Sequence, residues 1–315
     1  MKRNVIAAMV ALFLFVGCDS PKESLSIDRH QLIPVVLSVS LKEELDLFHT
    51  RAMPPYTIGE PVVKSEDNVD PAAEEKEINA LCNRIVYQVF SGETGDELLK
   101  TKQFVYGVDD DFGIVYDSLP PGNYRVAVIA HSSESATVSG RTFSVGEVSD
   151  TFHGVYPLTV EDNEMTADIE LNRIVGKVEF VSSEVVPDNL GSFEMKVNRY
   201  SKQLDVLTGN GIISQNTHLI SHIFTTAEIG NKDKSHAFLT FIPADSGTIE
   251  VELVAKDNRD TKVRQRIVRD ILPVANRTIR YIGKLYSPLD SEDTITLVIK
   301  DGGKWGEDIE YILEN

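Results

Sequence analysis

Cysteine is nearly absent from this chain. Cys18 and Cys82 are the only two in 315 residues, so at most one internal disulfide is possible. Basic residues are scarce too, 31 against 49 acidic ones, for a net charge of -18. That balance argues against nucleic acid, whose phosphates want Lys/Arg patches, and equally against adsorption to anionic lipid. The longest apolar run, Val5 to Val16, has 12 residues and is too short to span a bilayer. Catalytic signatures are missing as well. There is no G-x-S-x-G, no H-E-x-x-H, no P-loop and no dinucleotide fingerprint. Asp and Glu are so plentiful that no pairing of carboxylates is informative. No catalytic residue and no cofactor is therefore expected.

What is present begins with an export signal. Lys2 and Arg3 precede the apolar run, which ends FVGC at Cys18. This ending resembles a bacterial lipoprotein processing box. The resemblance implies cleavage after residue 17 and lipid on Cys18, an acyl anchor of the palmitate kind. An ordinary signal peptide with an incidental cysteine is the alternative. Lipidation of Cys18 would leave Cys82 without a disulfide partner. Its surroundings, ALCNRIVYQVF, read as core. Residues 18–30 are polar, contain Pro21 and read as a tether. Asp19 and Glu23 resemble surface-export tags of Bacteroidetes lipoproteins, which implies an outer-membrane lipoprotein exposed at the cell surface.

Beyond residue 30 the pattern is that of strands. Val35, Leu37, Val39 and Leu41 alternate with smaller or polar neighbours. Arg84 to Phe90, Leu98 to Tyr106 and Phe112 to Tyr116 follow, joined by SGETG and by Asp109-Asp110-Asp111. LPPGNYRVAVIAH puts turn chemistry before a strand, with Pro121-Gly122 suited to a type II turn. Ser132 to Glu147 reads as loop, Thr151 to Leu158 as a weak strand, and Ser201 to Gly230 as irregular with short helical pieces. Phe193 to Val197, Phe238 to Ile242, Thr248 to Lys256, Asn276 to Tyr286 and Thr294 to Ile299 read as further strands. Residues 64–77, KSEDNVDPAAEEKE, carry six acids and two lysines and read as a mobile acidic loop.

The chain is organised around Ala167 to Val181. Ala167, Ile169 and Leu171 put apolar residues on odd numbers. Ile174, Gly176, Val178 and Phe180 put them on even numbers. A slip of one residue moves every side chain to the other face of a sheet. The chain must therefore bulge near Asn172-Arg173 or pass from one sheet into another. The second reading divides it into a β-sandwich over 31–172 and another over 173–315.

Three groups deserve a test as sites. Asp109 to Asp111 lack the spaced ligands of a Ca²⁺ loop and read as a solvated tip. His218 and His222 would share a face if helical, but no third zinc ligand stands near them. Trp305 could stack on a sugar or anchor a terminal strand. No metal site is expected.

The lipoprotein signal, the two sandwiches, LPPGNYRVAVIAH, IELNRIVGKVEF and NRTIRYIGKLY together resemble the fimbrillin-like proteins of Bacteroidetes, closest to the FimB/Mfa2 type of fimbrial anchor subunit. The resemblance implies an all-β chain of two tandem transthyretin-like antiparallel sandwiches. It implies a non-enzymatic surface lipoprotein that anchors or builds fimbriae, with other fimbrial subunits as partners through strand exchange. A lipoprotein that captures glycans or host proteins is the alternative. The segment Thr294 to Leu313 is either a strand given to a partner or one that closes its own sheet.

Overall fold

The computed structural model describes residues 31–42, 78–92, 94, 97–245, 247–288, 295–298 and 311–313. The apolar alternation becomes strands. β1 (Ile33–Leu41) buries Ile33, Val35, Leu37 and Val39 and turns Pro34, Ser38 and Ser40 outward. Then come β2 (Arg84–Ser91), β3 (Leu98–Val105), β4 (Ile114–Leu119) and β5 (Gly122–His131). A short hairpin of β6 (Thr137–Ser139) and β7 (Thr142–Ser144) precedes β8 (Thr151–Val160) and β9 (Met165–Arg173). The second half holds β10 (Val175–Ser182), β11 (Leu190–Asn198), β12 (Gln203–Asp205), β13 (Gly211–Ile212), β14 (His218–Ile223) and β15 (Ser235–Phe241). It ends with β16 (Ile249–Asp257), β17 (Lys262–Ile271), β18 (Thr278–Gly283), β19 (Ile295–Val298) and β20 (Tyr311–Leu313). The described helices are two single 3-10 turns.

The two halves repeat one pairing scheme. In the first, β1 pairs antiparallel with β4 and parallel with β9, while β3, β2, β5 and β8 form an antiparallel row. In the second, β10 pairs antiparallel with β15 and parallel with β18, while β14, β11, β16 and β17 form the matching row. In the first half two pairs between β8 and β9 join the row and the trio around β1 into one seven-stranded sheet, whereas in the second half they are separate sheets; in both, the first and last main strands lie side by side. Two additions fall outside the repeat. The hairpin β6–β7 joins β12–β13 in a small sheet that takes strands from both halves. The hairpin β19–β20 extends the layer of β18.

At residues 172–174 the chain leaves one sheet and enters another. β9 ends at Arg173, Ile174 intervenes, and β10 begins in the other half. The phase flip therefore marks a change of layer and not a bulge. One core fills the first half, around Leu37, Tyr87, Val128 and Leu171. The larger core draws Val86, Phe90, Ala127, Ile129 and Phe143 from the first half and packs them with Val178, Phe193, Val251 and Tyr281 of the second. The β2–β5 layer is consequently covered on both faces.

Several sequence expectations are corrected. Gly122 is not at positive φ. Its hydrogen instead makes room for the ring of Tyr124, whose hydroxyl would lie 3.3 Å from an added Cβ. That hydroxyl donates to the Pro120 carbonyl at 2.8 Å and locks the corner before β5. Thr151 to Val160 is a full ten-residue strand. It reads weakly because Thr151, Phe152, His153 and Gly154 are all buried, so two-residue alternation is lost. Ser132 to Glu147 and Ser201 to Gly230 carry the short strands β6, β7, β12, β13 and β14, with a single helical turn at Thr226–Glu228. The stretch 64–77 lies outside the described residues.

Candidate assembly surfaces

β1 is held entirely by strands distant in sequence. It lies between β4 and β9, neither of which is its neighbour in sequence. Val35 and Leu37 are 0% and 1% exposed, so the slot it fills is apolar and deep. A strand in that position is held by backbone ladders on both edges and by alternate side chains beneath.

The side of the first half formed by β3 and β4 is laced shut. Lys100 and Lys102 donate to Asp117 Oδ1 at 2.7 and 2.8 Å, and Tyr87 donates to Oδ2 at 3.0 Å. Lys102 also reaches the Tyr116 carbonyl at 2.7 Å. Burial alone would raise the Asp117 pKa. Hydrogen bonds from the two lysines reverse that and hold the carboxyl below the ordinary value.

The equivalent side of the second half, between β14 and β15, is open. Two clefts of about 320 and 230 Å³ run along it, bordered by Tyr200, His218, Ile220, His222, His236 and Phe238. His218 and His222 lie on a strand, not a helix, and share a face as alternate residues of β14. The two rings serve different partners. His218 stacks on Tyr200 with centroids 4.3 Å apart, and His222 Nε2 lies 2.9 Å from Glu228. His236 Nε2 lies 2.8 Å from the Tyr286 hydroxyl, and its ring stacks on Phe193. Burial, then the charges of His222 and Lys234, depress the His236 pKa to about 3, so it is neutral near pH 7. Among the described residues no three His, Cys, Asp or Glu side chains are grouped to hold a metal ion.

The junction between halves is built on Arg173. Its Nε and Nη2 donate to both oxygens of Asp150 at 2.7 and 2.9 Å, and Nη1 donates to Asn276 Oδ1 at 2.8 Å. The guanidinium also sits 4.7 Å from the centroid of the Phe152 ring. Nearby, His153 Nε2 lies 2.7 Å from the Val206 carbonyl. Gly209, at φ +71°, passes so close to His153 that a Cβ would stand 2.6 Å from Nδ1.

The other candidate residues fall in place simply. Cys82 is buried, and burial, with Asp150 adding, pushes its thiol pKa far up, which suits a core residue and not a nucleophile. Asp109 Oδ2 accepts from the Val105 amide at 2.7 Å, and Asp111 adopts φ 53°, so these two aspartates shape a turn. Cys18 and Trp305 lie outside the described residues. Sequence reasoning missed Asp117 and, although it placed the crossover at Asn172-Arg173, the ion pairing of the Arg173 side chain. A charged residue at an inward-facing strand position was the available signal in both cases.

Two repeated sets of strand layers define an all-β protein. The sequence model of the family described as "Fimbrillin-A associated anchor proteins Mfa1 and Mfa2" matches residues 93–310, and the chain belongs to that family. The family is structural, with a fimbrial anchor or adhesin-like role. No curated protein matches the chain. Similar solved structures include the fimbrial anchor protein Mfa2 from Porphyromonas gingivalis, at 10% identity and a TM-score of 0.48, covering 89% of this chain and 100% of that one. A fimbrial assembly protein from Parabacteroides distasonis is similar at 11% identity and a TM-score of 0.43, covering 89% and 98%.

Proposed function

We propose that this chain is a lipid-anchored surface subunit that holds a fimbria to the outer membrane. Residues 1–17 are its signal, 18–30 its tether, and 31–172 and 173–315 its two sandwich domains. The observation that carries the reading is the family match over residues 93–310. The filled β1 slot supports it, because an anchor has no need to accept a strand there. Partner fimbrial subunits are engaged by strand exchange, in which main-chain bonds give affinity and alternate side chains give register. The exchanging element is the hairpin β19–β20, which lies outside the repeated scheme and reaches the rest of the sheet through the four pairs of β18–β19. Its antiparallel pairing in this structure is the closed form of that element. Cys18 carries the lipid, and more than one acyl chain is needed for a stable anchor.

Cys18→Ala should move the protein from the membrane fraction to the soluble one. Membrane retention with normal processing would overturn the anchor. Removing residues 289–315 should leave the fold intact and abolish attachment to filaments. Unfolding of that variant would make the hairpin part of the core and overturn its role in exchange.

A further inference from the structure

We propose that the two parallel ladders, β1 with β9 and β10 with β18, make this chain a link built to carry tension along its length. The geometry is repeated. β1 and β9 pair over seven positions, from Val35↔Met165 to Leu41↔Leu171. β10 and β18 pair over six, from Lys177↔Thr278 to Ser182↔Gly283. In each half the first and last main strands are thus adjacent and point the same way.

Pulling the start of β1 away from the end of β9 drags two neighbouring strands along each other in opposite directions. The evenly spaced bonds of a parallel ladder are then loaded together and in shear. Pulling the two starts apart would instead open the ladder one pair at a time. The first strand is also held on its other edge, β1 by six pairs to β4 and β10 by seven to β15. Sliding β1 would withdraw Val35, Leu37 and Val39 from the core in the same motion.

The two shear elements lie in series. A single residue, Ile174, separates the end of β9 from the start of β10, so tension leaving one ladder enters the next without a compliant linker. Ile174 donates its amide to the Thr151 carbonyl at 3.1 Å, and Arg173 beside it bonds Asp150 and Asn276 on opposite sides of the junction. The use of such a link on a cell rests on the anchor reading. Its mechanics do not, and the two fail in separate experiments, fractionation for one and force for the other.

Single-molecule pulling on the whole chain tests it, with Cys18→Ser so that only introduced thiols react. Cys82 is 1% exposed and stays unlabelled. Handles at Leu32→Cys and Pro288→Cys load both ladders in shear. Handles at Leu32→Cys and Glu164→Cys unzip β1 from β9. All three sites are exposed, so both forms fold. The unfolding force should be severalfold higher in the first geometry. The chain enclosed by Ile33 and Leu171 should extend to roughly 450–500 Å, and that enclosed by Lys177 and Gly283 to roughly 350–390 Å, each step being that length less the folded end-to-end distance. Equal forces in the two geometries, or a lower force in the first, would overturn the proposal.

Discussion

Buried titratable residues set how this protein responds to acid. His131 is 2% exposed, and burial, with the charge of Arg84 adding, lowers its pKa from 6.5 to about 4. A histidine with a depressed folded pKa contributes stability that is complete above its unfolded value. That contribution is lost as pH falls through the window between the two. The expected loss is about 1.4 kcal/mol per pH unit for each such group between about pH 6.5 and 4. His236, with a pKa of about 3, acts in the same direction and further down. Urea unfolding at pH 7 and pH 5 should show His131→Phe losing less stability than the parent over that interval. Asp117, held below its ordinary value of 3.8, adds a separate loss that begins as pH falls through that ordinary value and is complete once the folded carboxyl protonates and gives up its ion pairs to Lys100 and Lys102.

At the scale of elements, β1 is the informative one. Leu37→Ala should cost about 2–5 kcal/mol, because the site is enclosed on all sides by the first core. Ser38→Ala, one residue on and facing outward, should change stability by less than about 0.5 kcal/mol. Chemical denaturation of the two variants side by side measures the contrast. β1 was legible in sequence because one face meets core and the other does not. The crossover at Arg173 was legible for the same reason, since a change of layer must change the phase of alternation. β8 was not, because its first four residues are buried on both faces and alternation has nothing to report. The hairpin β6–β7 and strands β12 and β13 were hidden by length, at two or three residues each. Their pairing links positions about sixty residues apart, such as Phe143 with Leu204, which no local pattern can show. The lacing of Lys100 and Lys102 onto Asp117 was hidden likewise, because one charge among many acids carries no mark of its partners.

The whole molecule is two repeated halves joined through a shared core, a shared small sheet and Arg173. Those joints oppose independent unfolding. Calorimetry of the parent should give one transition, and Arg173→Ala should broaden or split it, at a cost of about 1–3 kcal/mol, because Asp150 loses its guanidinium partner but is 23% exposed to water. Two resolved transitions in the parent would show that the junction does not couple the halves. Such a joined pair suits the proposed anchor, which would pass load from a surface to a filament. The measurement that bears most directly on that role is where filaments are found when the chain is missing. In cells lacking it, filaments should be shed into the medium while the cell-bound fraction falls, and restoring the chain with Cys18 intact should return them. Filaments that stay attached in unchanged amount without this chain would contradict the account.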